Sequence, residues 1–168
     1  ATWSSPIQVN DDTTTNTQFL PRIAMDQTTG RFAVSWHDAR NDDGLLGPGD
    51  IDGVPNNDAQ LFAAVSADGG ASFISNVQVS SGTSDEDGSE PPGGGLADLD
   101  YGDYHGLAYD AGKLYPAWAD NSNSTADNPD GTLSRMDVHT VQIVPEPGQL
   151  LQLGFGIIAL VGMSSLRK

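Results

Sequence analysis

The chain has 168 residues and no cysteine, and its 23 acidic side chains against 7 Lys and Arg give a formal net charge of -16. This length fits one domain, and the charge repels phosphates and anionic lipid headgroups, which argues against nucleic-acid binding and makes divalent cations the natural partners. Of the acids 20 are Asp, and together with 20 Gly and 10 Pro this turn-forming composition excludes a helical bundle.

In chain order, the sequence predicts strands separated by polar turns. Alternating, β-branched and aromatic content predicts four strands in the first half, at residues 20–25, 32–37, 61–66 and 77–80. A long acidic loop separates the second of these strands from the third. Residues 81–95 have the composition of a low-complexity linker. The second half predicts three more strands, at residues 106–109, 114–119 and 136–143.

The acidic loop is the first choice for a metal site. Its Asp and Asn side chains alternate, and calcium takes about six to eight oxygen ligands in flexible geometry. It does not form a complete EF-hand, because the bidentate Glu that closes such a loop is absent. We expect calcium here, with Asp50, Asp52 and Asp58 as ligands. Ordinary solvated turns are the alternative explanation for acidic loops of this kind.

Two parts of the chain repeat the same landmarks in the same order. The aligned segments are residues 1–10 with 71–80, 23–26 with 107–110, and 30–38 with 112–120. Such self-similarity is typical of repeat architectures, and a β-propeller blade is a sheet of four antiparallel strands. The sequence therefore predicts two repeat units, over about residues 1–80 and 81–143.

A turn motif between the third and fourth strands contains Ser66, Asp68, Gly70 and Phe73. In such a turn the Asp carboxylate accepts backbone N–H bonds, Gly takes a positive φ, and the aromatic ring packs under the hairpin. The motif resembles the Asp-box of sialidase-like (BNR-repeat) β-propellers. The resemblance implies an all-β fold, a partial β-propeller of about two four-stranded antiparallel blades over residues 1–143.

The ligand-binding candidates are Arg22, Asp103, Tyr104 and His105, which the resemblance puts near the centre of the propeller. His can act as an acid or base and Tyr as a platform for a sugar. The alternative is a structural loop in which Asp caps a turn and Tyr packs between blades. Sialidases use a Tyr nucleophile with a Glu partner and an arginine triad. Neither set is found in this chain, so we transfer no sialidase activity and name no catalytic residue.

The C-terminal end differs from the rest of the chain. Its parts are Pro145, Glu146 and Pro147, an uncharged apolar run over residues 150–166, and the cations Arg167 and Lys168. At about 1.5 Å per residue, a short hydrophobic helix over this run would just cross a bilayer, with its basic end in the cytoplasm. Residues 144–168 resemble the PEP-CTERM sorting signal of exported proteins of Gram-negative bacteria. The resemblance implies export, transient inner-membrane anchoring by a transmembrane helix, and processing by an exosortase-type enzyme.

These resemblances predict an exported protein of the cell surface or extracellular matrix, whose propeller binds glycans or other surface polymers or acts structurally. Two alternatives stay open: a non-catalytic C-terminal portion of a sialidase-like glycoside hydrolase, and a self-assembling structural protein built from two-blade protomers. PEP-CTERM proteins carry an N-terminal signal peptide, so Ala1 is interpreted as a processed or truncated start. Homo-oligomerisation or further blades would then complete the ring.

Overall fold

The computed structural model describes residues 2–85, 101–102, 105–122 and 136–145. This part of the chain forms two antiparallel sheets and contains no helix, so the prediction of an all-β fold is confirmed. None of the described residues form a helix long and apolar enough to cross a membrane. The predicted helix over residues 150–166 lies outside the described residues.

The first sheet is a meander with one additional short strand. In spatial order its strands are β1 (Gln18–Met25), β2 (Phe32–Asp38), β3 (Asp58–Ser66) and β4 (Val77–Gln78), and β5 (Ser84–Asp85) pairs with the start of β3. All of β3 is buried, because β2 covers one of its edges and β4 and β5 share the other. The strand therefore forms the centre of this sheet.

The second sheet contains three strands in the described residues. They are β6 (Gly106–Asp110), β7 (Lys113–Asp120) and β8 (Asp137–Thr140), in that spatial order. Beyond the end of β8, Leu114 and Ile143 exchange two backbone hydrogen bonds of 2.9 Å. The strands of both sheets agree with the predicted ones to within a few residues, because alternation and turn residues mark them in the sequence.

The two sheets share one hydrophobic cluster. Ala33 and Val65 of the first sheet pack with Tyr109 and Leu114 of the second, and β1 lies against β6. The hairpin turns of the two sheets also meet, because an oxygen of the buried Asp26 accepts a hydrogen bond of 2.7 Å from the N–H of Gly112. Apolar packing and a buried polar contact thus join the sheets.

The same local structure occurs once in each sheet, at positions that the sequence repeat aligns. The indole N–H of Trp36 donates to Asp38 at 2.7 Å, and that of Trp118 donates to Asp120 at 2.8 Å. In both cases the other Asp oxygen accepts the backbone N–H two residues further along. Both indoles are buried, so these tryptophans are part of the sheet packing.

Candidate metal site and adjoining clefts

Three carboxylates meet at the base of the acidic loop that joins β2 to β3. Asp42, Asp50 and Asp58 are buried, and each offers an oxygen within 4.8 Å of the others. Oxygens that bind calcium at about 2.3–2.6 Å lie no more than about 5 Å from one another. These three residues, called the metal group below, can therefore hold a metal ion.

Backbone N–H groups of the loop fix the carboxylates of the metal group in place. The donors lie at 2.5–3.1 Å: Asn57 and Asp58 donate to Asp42, Leu46 and Gly53 donate to Asp50, and Ile51 donates to Asp58. The loop folds back on itself through paired backbone bonds between Gly47 and Asp50. This folding brings together acids that are far apart in the sequence.

Two oxygens of the metal group have no hydrogen-bond donor although they are buried. They are Oδ1 of Asp42 and Oδ1 of Asp58, and Oδ1 of the neighbouring Asn57 is buried without a donor as well. Burial raises the pKa of Asp58 to about 6, and the charges of Asp85 and Asp42 add to the rise. A buried carboxylate oxygen without a partner is costly, and a bound cation removes that cost.

Two of the three predicted metal ligands belong to the metal group, and the third member of the group was not among the predicted ligands. Asp50 and Asp58 are members, whereas the exposed Asp52 accepts hydrogen bonds from Val54 and from the Asn57 side chain. Asp42 takes the third position. The sequence does not distinguish Asp42 from its exposed neighbours, because its partners lie 15 and 16 residues along the chain.

A cleft of about 370 Å³ adjoins the metal group. Its walls include Thr17, Phe19, Leu20, Asn56, Asp58 and Tyr101. The Phe19 and Tyr101 rings meet edge to face with their centroids 5.2 Å apart, and the Tyr101 hydroxyl donates to the carbonyl of Ser84 at 2.8 Å. We call this space the Tyr101 cleft; it combines aromatic, amide and acidic groups.

The predicted ligand-binding residues Arg22 and His105 lie together at a second cleft. The Arg22 Nε–H donates to the His105 carbonyl at 2.6 Å, and both residues line a space of about 330 Å³ that Trp118 also borders. The His105 ring is buried and its Nε2 bonds to Ser35 Oγ at 2.7 Å. Asp103 and Tyr104 lie outside the described residues.

His37 and His105 form a buried ring pair between the sheets. Their centroids are 5.6 Å apart, and Nδ1 of each ring is buried without a hydrogen-bond partner. Burial lowers the pKa of both imidazoles to about 4. Both rings are therefore neutral at ordinary pH, although the charge of Asp120 opposes the lowering of the His37 pKa.

The residues of the predicted Asp-box close the turn after β3. Asp68 accepts hydrogen bonds from the Ser66 hydroxyl and from both the N–H and the hydroxyl of Ser72, at 2.6–2.9 Å, and these bonds lower its pKa to about 2. Gly70 has a φ of 87° and donates to Ser66. Phe73 packs against the cluster around Trp36. The bonding is local to the turn, so these residues act in its structure.

Pro145 is the last residue that the structure describes, and the other residues of the predicted sorting signal, Glu146, Pro147, Arg167 and Lys168, lie outside that part. Comparisons of the chain with protein-family models, with curated proteins and with solved structures found no match. The function of the chain is therefore inferred from its sequence patterns and from the geometry of the metal group and the two clefts.

Proposed function

We propose that this chain is a calcium-stabilised binding or structural module of an exported cell-surface or matrix protein. The observation that carries the proposal is the metal group, in which two buried carboxylate oxygens lack a donor. Calcium is the ion because all the ligands are oxygens, whereas zinc and copper favour nitrogen and sulfur. Extracellular modules bind calcium at about 10⁻⁴ to 10⁻³ M, which suits an exported protein.

The proposal includes the propeller and the sorting signal. Support for two propeller blades comes from the meander order of the strands, from the contact between β1 and β6, and from the Trp–Asp hydrogen bond that recurs in both sheets. Support for export comes from the resemblance of residues 144–168 to the PEP-CTERM signal, which an exosortase-type enzyme processes. The module has no assigned catalytic residue and acts through its surfaces.

In this proposal calcium closes the acidic loop at its base. Asp42 lies shortly after the end of β2, and Asp58 begins β3, so one ion bound by both joins the two ends of the loop. Asp50 comes from the middle of the loop and fixes its path. The ion also neutralises like charges that repel one another at short range. Calcium that binds the folded chain but not the unfolded chain stabilises the folded state by mass action.

Thermal melting of the full chain in EGTA and in excess CaCl₂ tests the proposal. At a calcium concentration of about 100 times the dissociation constant, binding adds about 2.7 kcal/mol, which raises the midpoint by about 5–10 °C for a chain of this size. An unchanged midpoint, or an equal rise with MgCl₂ at the same concentration, contradicts the proposal. Calorimetric titration with CaCl₂ measures the affinity and the number of ions directly.

Two variants that remove the same charge separate the metal group from general electrostatics. Asp58→Asn alters the group, and Asp43→Asn alters an exposed acid of the same loop. We expect Asp58→Asn to abolish the calcium response and Asp43→Asn to keep it. In EGTA, Asp58→Asn should melt no lower than the wild type, because it removes a buried charge that the like charges of Asp42 and Asp85 repel. A calcium response retained in Asp58→Asn would place the ion elsewhere.

A further inference from the structure

The backbone of the Tyr101 cleft has a positive φ at two positions, and it is strained at Leu20. Leu20 has a φ of 49° and Asn56 has a φ of 70°, and both residues line the cleft. At Leu20 the register of β1 against β2 is interrupted between Phe19 and Arg22. A positive φ is unfavourable for Leu, and strained residues and bulges concentrate at binding sites, where they redirect side chains. The strain therefore marks this cleft within the first sheet.

The chemistry of the cleft selects a class of ligand. The Phe19 and Tyr101 rings supply apolar surface, while the amides of Asn56 and Asn57 supply hydrogen-bonding groups, of which Oδ1 of Asn57 is buried without a partner. Among the described residues of the lining, Asp58 alone carries a charge, and this negative charge disfavours anions. Apolar rings beside amides fit a sugar, which has an apolar ring face and hydroxyl groups at its edge.

The metal group holds the polar wall of the same cleft. Oδ1 of Asn56 accepts the N–H of Thr17 at 2.7 Å, and the N–H of Asn57 donates to Asp42 at 2.7 Å. The Asn16 side chain donates to the carbonyl of Asp42 as well. An ion at the metal group thus fixes the two amides and the segment opposite them.

From these observations we infer that the Tyr101 cleft binds a neutral sugar and that this binding depends on calcium. The inference rests on the proposed calcium site and adds a ligand class to it. Calcium does not contact the sugar in this arrangement. It orders the wall of the cleft that contacts the sugar. Sugar binding therefore costs less conformational entropy.

Calorimetric titration of the full chain, in a polyoxyethylene detergent that carries no sugar headgroup, tests the inference. The neutral probes are glucose, galactose, mannose and N-acetylglucosamine, the anionic probe is N-acetylneuraminic acid, and the cationic probe is choline. We expect at least one neutral sugar to bind in CaCl₂ and to bind at least tenfold more weakly in EGTA. The inference is overturned by binding of the acid or choline alone, by no binding at all, or by equal affinity in EGTA.

Asn56→Asp tests the site itself. Asp tolerates a positive φ and keeps the oxygen that accepts the Thr17 N–H, but it lacks the amide donors. We expect sugar affinity to fall at least tenfold while the calcium-induced rise in melting midpoint persists. Gln27→Glu, which adds the same charge at an exposed position in the β1–β2 turn, should leave sugar affinity unchanged.

The two measurements distinguish the failure of each proposal. A calcium-induced rise without sugar binding overturns the inference and leaves the calcium site standing. Sugar binding in a wild-type chain that does not respond to calcium overturns both the calcium site and the calcium dependence inferred here. Sugar affinity that Asn56→Asp leaves unchanged shows that the sugar binds outside the Tyr101 cleft, which overturns the inference as well.

Discussion

His37 and His105 make the stability of the chain sensitive to acid. Burial lowers the pKa of each to about 4, and the charge of the neighbouring His105 adds to this for His37, whereas an unfolded histidine keeps a pKa near the ordinary value of 6.5. Between these values the unfolded chain binds more protons than the folded one. The two histidines therefore leave the folded state at its full stability above about pH 6.5, and the folded state loses stability as the pH falls towards 4.

We predict that His105→Gln flattens the dependence of the melting midpoint on pH in this range. Gln keeps a polar group near Ser35 but cannot take up a proton. The control is His139→Gln, which makes the same substitution at a histidine outside the ring pair. Melting curves at half-unit pH steps in EGTA measure the effect. Identical slopes in the wild type and His105→Gln would show that the buried pair does not titrate as described.

Asp26 joins the two hairpin turns through charged hydrogen bonds. Its oxygens accept bonds from Thr28, Thr29 and the Gly112 N–H at 2.6–2.8 Å, and these bonds hold its pKa well below the ordinary value. We predict that Asp26→Asn lowers the free energy of unfolding by about 1.5–3 kcal/mol, as expected for bonds to a charged group. Urea denaturation at pH 7 measures the loss.

The sequence repeat supplies a control for Asp26. Asp110 occupies the aligned position in the second sheet but is exposed, so Asp110→Asn should change the free energy of unfolding by less than about 0.5 kcal/mol. Equal losses in the two variants would contradict the assignment of Asp26 as the contact between the sheets. Residues that align in sequence can therefore differ in what they contribute to stability.

At the level of elements, the path of the acidic loop requires a glycine at position 49. Gly49 has a φ of 98°, and a Cβ there would lie 2.3 Å from the Asn41 Cβ. We predict that Gly49→Ala displaces the neighbouring Asp50 and weakens calcium binding at least tenfold in calorimetry. Gly30→Ala is the control, because Gly30 also has a positive φ but no heavy atom within 4 Å of the added Cβ. It should lose stability through strain alone and keep its calcium affinity.

The elements differ in how far the sequence predicts them. The strands follow from alternation, and the turn after β3 follows from its Ser, Asp and Gly residues. β5 was not predicted, because Ser84–Asp85 lies in a polar stretch with the composition of a linker and its pairing with β3 is a long-range contact. The metal group was predicted only in part, because its members also meet through long-range contacts. Long-range backbone bonds, which no local pattern records, decide that Asp42 is a member and Asp52 is not.

At the level of the whole molecule, the shared cluster makes the two sheets one folding unit. Leu114 of the second sheet is buried against Ala33 and Val65 of the first. We predict that Leu114→Ala lowers the free energy of unfolding by about 2–5 kcal/mol and that both sheets still unfold in one transition. Leu45→Ala, at an exposed leucine of the acidic loop, should cost far less.

Tryptophan fluorescence measures whether the sheets unfold together. Each sheet contains one buried indole, Trp36 or Trp118, and Trp3 is 94% exposed. In chains with Trp3→Phe and either buried tryptophan as the remaining reporter, urea transitions should coincide. A second sheet that unfolds at lower urea than the first would contradict the single unit and would limit the role of the shared cluster to weak docking.

The unpaired oxygens of Asp42 and Asp58 also bear on when the chain folds. Where calcium is scarce, as in a bacterial cytoplasm, the base of the acidic loop keeps its mutual repulsion and the folded state is at its weakest. Where calcium is millimolar, the ion proposed above would close the loop through the same residues. If the protein is exported as proposed, the folded state is less stable before transport, which makes the chain easier to move across a membrane in an unfolded form. After transport, calcium stabilises the folded state. The ion would therefore determine where the chain folds.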